Sequence, residues 1–287
     1  MALAAGPWAT SAGCGVMAGV TDREEPRLGA VQETLFIPLL ARARAAQRRH
    51  PLLRDPKAVE IAGSVEADAK YGRGAGGSVT VLRTVLMDAW VRDFLASNPA
   101  GTVVEIGTGL NSRFERVDNG QVHWIDLDLP DAIELRRKFF ADSGRRRMVA
   151  ASVTGEEWLP IVAQSPGPYF FVADGVLAYL PEEQVSTLLT RIKNHFPNAR
   201  IALDTYPQRT FDQQRKLAAR RGIPARWAWA CDDPRSLERL GLRVVESSGV
   251  ARLPGRVRRH LPARYRFLLP LAEPILGQAM RVTLFQA

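Results

Sequence analysis

The sequence predicts an α/β protein: a doubly wound, mostly parallel sheet with an N-terminal helical cap and a helical insertion before the last strands. Three observations lead there. From Thr102 onward, short runs of β-branched and aromatic residues alternate with helical stretches, the pattern of parallel strands joined by crossover helices. The first of those strands ends in Gly107-Thr108-Gly109, where the backbone can turn sharply. An acid, Asp128, closes the next strand about twenty residues later, as in strand-turn-helix units that hold a nucleoside.

Residues 1–28 read as a flexible tail. MALAAGPWATSAGCGVMAGV is small and apolar but lacks a basic first region, so no secretory leader is expected. Residues 29–98 read as the helical cap. TLFIPLLARARAAQRRH puts apolar residues on one side and arginines on the other. DPKAVEIAGSVEADAK opens on Asp55 as N-cap with Pro56 at the first helical position. YGRGAGG (71–77) is a joint, and SVTVLRTVLMDAWVRDFLAS is a third helix with Ser78 as candidate N-cap.

Residues 99–287 read as the core. TVVEIG (102–107) and VHWIDLDL (122–129) are strands, and PDAIELRRKFFADSG is a helix started by Pro130. RRMVAAS (146–152) and the buried PYFFVADG (168–175) are strands. PEEQVSTLLTRIKNHFP is a helix whose first-turn acids suit its dipole, and ARIALDTYP (199–207) is the next strand. LRVVESSG and MRVTLFQA supply the last two. Before them lies the insertion, about 207–241, basic and Trp-bearing, expected over the edge of the sheet.

With 287 residues and 46% hydrophobic composition the chain can bury a sizeable core. No apolar run is long enough to span a bilayer, and no membrane partner is expected. Only Cys14 and Cys231 occur, which fits a reducing cytoplasm, and the four histidines lack metal-ligand spacing, so no metal is expected. The net charge of +9 is carried mostly by arginine. No nucleic-acid module accompanies it, so no nucleic-acid partner is expected.

In a doubly wound sheet, ligands sit beyond the C-terminal strand ends where the strand order reverses. Gly107 and Gly109 occupy that end of the first strand, and Asp128, with Asp126 two residues earlier as fallback, ends the second. A dinucleotide fingerprint wants a third glycine where Ser112 stands, and Glu105 puts a carboxylate near the turn. A carboxylate suits a cationic cofactor better than a pyrophosphate, and S-adenosylmethionine is such a cofactor. A plain turn that binds nothing is the competing reading of the glycine pair.

ETLFIPLLARA, HPLLRDPKAVEIA, LRTVLMDAWVRDFL, VVEIGTGLNSRF, HWIDLDLPDAIELRRKFF and VADGVLAYLPEEQV, in that order, extend the argument. As a set they resemble the leucine carboxyl methyltransferase family, in its polyketide-type (tetracenomycin pathway-like) O-methyltransferase branch, from about residue 31 to the C-terminus. The resemblance implies a class I methyltransferase core with S-adenosylmethionine as cofactor. It assigns Arg83 to the cofactor carboxylate, with Arg42 or Arg44 as a second basic group. Gly107 and Gly109 would pass under the methionine part, and Asp128 would bind the ribose. Ser152 and Val153 fall beside the adenine, where relatives have Asp-Leu. Asp174 falls near the cofactor amino group, where relatives have Glu. Tyr179 could face the methyl group or be core filler, and Trp227 and Trp229 could wall the substrate or form the insertion's own core.

Nothing in the chain reads as a Ser/His/Asp or Cys/His constellation. A carboxylate nucleophile is ionised at neutral pH and needs only positioning, whereas a phenol would more often want a base. The expected reaction is therefore methyl-ester formation on a carboxylate of a polyketide-like metabolite or modified peptide. Arg209, Arg215, Arg220, Arg221 and Arg226 are candidates for steering it. The alternatives are a phenol or hydroxyl O-methyltransferase and a cofactor-binding scaffold without turnover.

Overall fold

The computed structural model describes residues 28–29, 32–65, 77–224, 226–276 and 278–287. Nearly all of the tail expected over 1–28, the end of the second cap helix and most of the YGRGAGG joint lie outside these residues.

The cap begins with a 3-10 turn, Gln32–Leu35, that leads into α1 (Phe36–Ala46). Helix α2 (Pro56–Ser64) starts as the sequence predicts, the Asp55 side chain accepting from Ala58 N at 3.0 Å. Helix α3 (Gly77–Ser97) already includes Gly77, so Ser78 lies inside it rather than at its N-cap.

The sheet has seven strands: β1 (Thr102–Ile106), β2 (His123–Asp128), β3 (Arg146–Ala150), β4 (Tyr169–Ala173), β5 (Arg200–Thr205), β6 (Arg243–Gly249) and β7 (Arg281–Gln286). Their order is β3-β2-β1-β4-β5-β7-β6, parallel except for β7, which runs antiparallel to both β5 and β6. The order reverses between β1 and β4, so the C-terminal ends of these two strands open a crevice. Strand β1 is buried along its whole length, and its alternation divides it between two cores. Val104 and Ile106 pack with Trp158, Leu188 and Phe196 on one face; Val103 packs with Leu86, Trp90 and Val282 on the other.

Helix α3 therefore packs on the sheet as well as on α1. The separate cap cluster is built by α1 and α2, where Phe36, Leu39 and Ile61 meet Ile133, Phe140 and Met148. Short helices α4 (Arg113–Val117), α5 (Pro130–Arg136) and α6 (Leu159–Ala163), and the longer α7 (Glu182–His195), connect the first five strands. Helix α5 ends well before Gly144 because the chain tightens, Phe139 N bonding Arg136 O at 3.0 Å. Phe140 then tucks under the Arg136 guanidinium, 4.1 Å from the ring centroid.

The insertion comprises α8 (Gln208–Arg220), an extended stretch and a 3-10 turn at Pro234–Leu240. Two further helices, α9 (Gly255–Arg258) and α10 (Ala263–Leu276), lie between β6 and β7 and were not legible in the sequence. Three prolines (Pro262, Pro270, Pro274) interrupt the stretch, and its apolar residues do not mark a buried face. No helix among the described residues is long and apolar enough to cross a membrane.

Candidate active site

A cavity of about 1430 Å³ opens over the C-terminal ends of β1, β2 and β4. Its floor is the turn after β1. Gly107 and Gly109 both have positive φ, 61° and 45°, a conformation costly for any residue with a Cβ. A Cβ on Gly107 would meet Val176 Cγ2 at 2.4 Å. The turn is held to β2 by Gly107 N–Leu127 O at 2.8 Å and by Gly109 N, which donates to Asp128 Oδ2 at 2.7 Å.

Asp128 lines the cavity from the end of β2. Burial pushes its carboxyl up to about 6, against the hydrogen bonds from Gly109 and Leu129 amides. The fallback acid, Asp126, does not line the cavity. It is buried among Arg136 (3.0 Å), Arg146 (2.7 Å), the Thr108 hydroxyl (2.8 Å) and the Trp124 indole N–H (3.0 Å). Asp126 and Asp128 share a face of β2, but only the one at the strand's end clears the turn.

Glu105 also lies behind the wall. Its Oε1 takes the Asn111 amide at 2.9 Å and a close ion pair with Arg113 Nη1; Oε2 is buried without a hydrogen-bond partner. Burial raises its carboxyl to about 7, despite Arg113 pulling it down. Its place in the strand makes it a partner for the helix after the turn rather than a group facing the cavity.

No local sequence pattern marks Arg113 as a centre, yet it binds three carboxylates while only 1% exposed: Asp88 at 2.8 Å, Asp174 at 2.7 Å, and Glu105. Arg83 pairs with Asp174 and with Asp204 at 2.9 Å, and donates to the Tyr206 hydroxyl at 2.6 Å. Arg116 bridges Asp88 and Asp55 at 2.7 and 2.8 Å, and Arg42 meets Asp55 at 3.1 Å. These contacts form one buried chain: four arginines (Arg42, Arg83, Arg113, Arg116) among five carboxylates (Asp55, Asp88, Glu105, Asp174, Asp204). Asp88 ends up near 2: burial would raise it, but Arg116 and then Arg113 outweigh that. Asp174 is lowered in the same way, burial being overcome by Arg83 and Arg113. With all groups ionised the network would carry one carboxylate in excess, but Glu105, raised to about 7 by burial, is about half protonated at neutral pH, so the ground behind the cavity is close to charge balance. Asp88 and Asp204 are legible in the sequence as acids inside an apolar helix and strand, as Glu105 is.

The remaining predicted residues divide by exposure. Arg42 is 2% exposed, bound to Asp55 and to Leu110 O at 2.8 Å, although the sequence pattern placed it on a solvent-facing arginine side. Burial lowers its pKa to about 10, against the pull of Asp55. Arg44 is exposed at the rim. Ser152 and Val153 line the wall after β3, Ser152 Oγ lying 2.8 Å from Thr154 Oγ1.

Tyr179 and Trp227 line the cavity edge-to-face, centroids 6.4 Å apart, and Trp227 also packs on Tyr206 at 4.2 Å. Trp229 instead belongs to the core. The insertion thus divides: one indole walls the cavity and the other packs beneath. Of its arginines, Arg209, Arg215 and Arg221 line the cavity, and with Arg44, Arg48 and Arg281 they make its mouth positive.

The strand order, the glycine turn and the acid at the end of β2 define a class I methyltransferase. The same fold occurs in a candidate methyltransferase of Thermobifida fusca YX (TM-score 0.55, 18% identity, 89% of this chain and 94% of the other). It also occurs in a DUF574 family protein of Streptomyces avermitilis (TM-score 0.54, 14% identity, 87% and 96%). Residues 36–193 match the leucine carboxyl methyltransferase family, and the chain belongs to that family. Among its relatives is the tetracenomycin polyketide synthesis O-methyltransferase of Streptomyces glaucescens, 35% identical over 78% of this chain and 84% of the relative. Another is an S-adenosyl-L-methionine-dependent methyltransferase of Gibberella zeae, 29% identical over 77% and 83%.

Proposed function

We propose that this enzyme, an S-adenosylmethionine-dependent O-methyltransferase, methylates a carboxylate of a polyketide-like metabolite or modified peptide, giving a methyl ester. The observation that carries the reading is the mouth of the cavity, lined by Arg44, Arg48, Arg209, Arg215, Arg221 and Arg281. The residues present fit the cofactor. Gly107 and Gly109 permit the positive-φ turn that forms the cavity floor, Asp128 presents an acceptor to a ribose, and Ala151 and Val153 offer an apolar wall for adenine. Arg83 and Arg42 are the bases proposed for its carboxylate, Asp174 the acid nearest its amino group, and Ser152 a hydroxyl beside the base. When bound, the cofactor supplies an electrophilic methyl group on a sulfonium.

The chain's own residues then have a limited task. Tyr179 and Trp227 hold the acceptor's body against the cavity, which restricts the approach of its oxygen. The mouth arginines draw an anionic acceptor inward and compensate its charge. No residue need remove a proton, because a carboxylate is already ionised. The tyrosine hydroxyl nearest the charged network, Tyr206, is held well above its ordinary pKa by burial, against the pull of Arg83, so it is poorly suited to act as a base.

Candidate acids incubated with labelled S-adenosylmethionine should give a product that mild alkali cleaves with release of methanol. Transfer should be nearly flat above about pH 6. An alkali-stable product, with a rate rising toward pH 10, would assign the acceptor as a phenol instead.

A further inference from the structure

The helix α10 turns the wrong side outward. Among the described residues only four large apolar side chains are exposed, and three of them are here: Phe267 (73%), Leu268 (57%) and Leu271 (77%). With Arg264 they fall at i, i+3, i+4 and i+7, a single face of the helix. The opposite side already has its packing: Leu269 is buried in the sheet's core and Tyr265 lines the cavity. The outward stripe therefore does nothing for the fold, and a contiguous apolar surface of this kind marks an interaction site.

The surroundings of the stripe say what covers it. Arg252, Arg256, Arg258, Arg259, Arg264 and Arg266 are all exposed on α9, α10 and their flanks. Arg252 pairs with Glu273, and Arg256 with Asp93 and Glu246; the other four have no carboxylate partner among the described residues. Arg264 lies on the stripe itself and Arg258 and Arg259 precede it, and apolar tips beside exposed arginines match a bilayer interface, where the tips enter the acyl boundary and the guanidinium groups meet anionic headgroups. A second copy of this chain matches poorly. A two-fold contact would set the same exposed arginines against themselves.

We propose that α9 and α10 form a peripheral docking surface for an anionic phospholipid membrane. The sequence has no run long enough to span a bilayer and so predicts no membrane partner; a surface that lies flat on the interface needs no such run. Since Tyr265 lies on the same helix and lines the cavity, docking would hold the cavity beside the bilayer, where apolar acceptors accumulate.

The test is co-sedimentation of the full chain with phosphatidylcholine vesicles, with and without roughly 30 mol% phosphatidylglycerol. Binding is expected only with the anionic lipid, and added salt should weaken it. Phe267→Glu with Leu271→Glu should reduce the bound fraction about tenfold, and Arg259→Glu with Arg264→Glu several-fold. Both double variants should keep the native far-UV circular dichroism and cofactor affinity. No binding to anionic vesicles, or equal binding by wild type and the Phe267/Leu271 variant, overturns the proposal. So does a dimer in light scattering that this variant abolishes while vesicles recover no protein, which would give the face to a second copy.

Discussion

Replacing Arg113 with methionine keeps much of the side chain's volume and removes its charge from between Asp88, Glu105 and Asp174. These acids do not suffer equally. Asp88 retains Arg116 at 2.7 Å, and Asp174 retains Arg83. Glu105 keeps only the Asn111 amide at 2.9 Å. Breaking a buried pair by deleting one partner typically costs about 3–5 kcal/mol. The lower end is expected, because Glu105 titrates near 7 even beside Arg113 and will take up a proton rather than remain charged without it. For a chain of this size about 3 kcal/mol corresponds to a fall in melting temperature of roughly 6–10 °C. Adding Glu105→Gln removes the stranded acid and should restore about 2 kcal/mol in urea denaturation at pH 7. If Arg113→Met with Glu105→Gln is no more stable than Arg113→Met alone, Glu105 is not the group that Arg113 compensates, and the account of the buried chain is wrong.

Glu105→Gln alone should show a pH-dependent effect. A carboxyl whose folded pKa of about 7 exceeds its ordinary 4.5 binds a proton on folding between those values, so its stabilising contribution is lost as pH rises through 7. Relative to wild type, Glu105→Gln should gain up to about 3 kcal/mol between pH 4.5 and 8; a gap constant with pH would contradict this. Gly107→Ala should destabilise by at least about 1–2 kcal/mol in denaturant, from its positive φ and the Val176 contact; a neutral result would mean the turn relaxes freely. Gly109→Val should lose cofactor affinity in calorimetry with native circular dichroism, and normal binding would move the site elsewhere. Arg83→Lys should keep most of the stability but bind the cofactor at least about tenfold more weakly, since an ammonium cannot reproduce the guanidinium fork; unchanged affinity would leave Arg83 as a purely structural partner of Asp174 and Asp204.

The sequence by itself determined the strand-helix alternation, the glycine turn after β1 and the acid closing β2. These are local: a buried strand needs a run of β-branched and aromatic residues, a sharp turn needs glycine, and the spacing from turn to acid is the length of one crossover. The order of motifs likewise carried the family. Local patterns could not say which acid of Asp126 and Asp128 faces the cavity, since both point to one side of β2. That was decided by Arg136 and Arg146, which arrive from α5 and β3 to claim Asp126. Nor could they make Arg113 a centre, because Asp88, Glu105 and Asp174 come from a helix and the ends of two strands that meet only when the sheet is assembled. The exposed face of α10 was hidden for another reason. Pro262, Pro270 and Pro274 hide the helix itself, and only the packing of Leu269 and Tyr265 on the other side shows that its apolar stripe points into solvent.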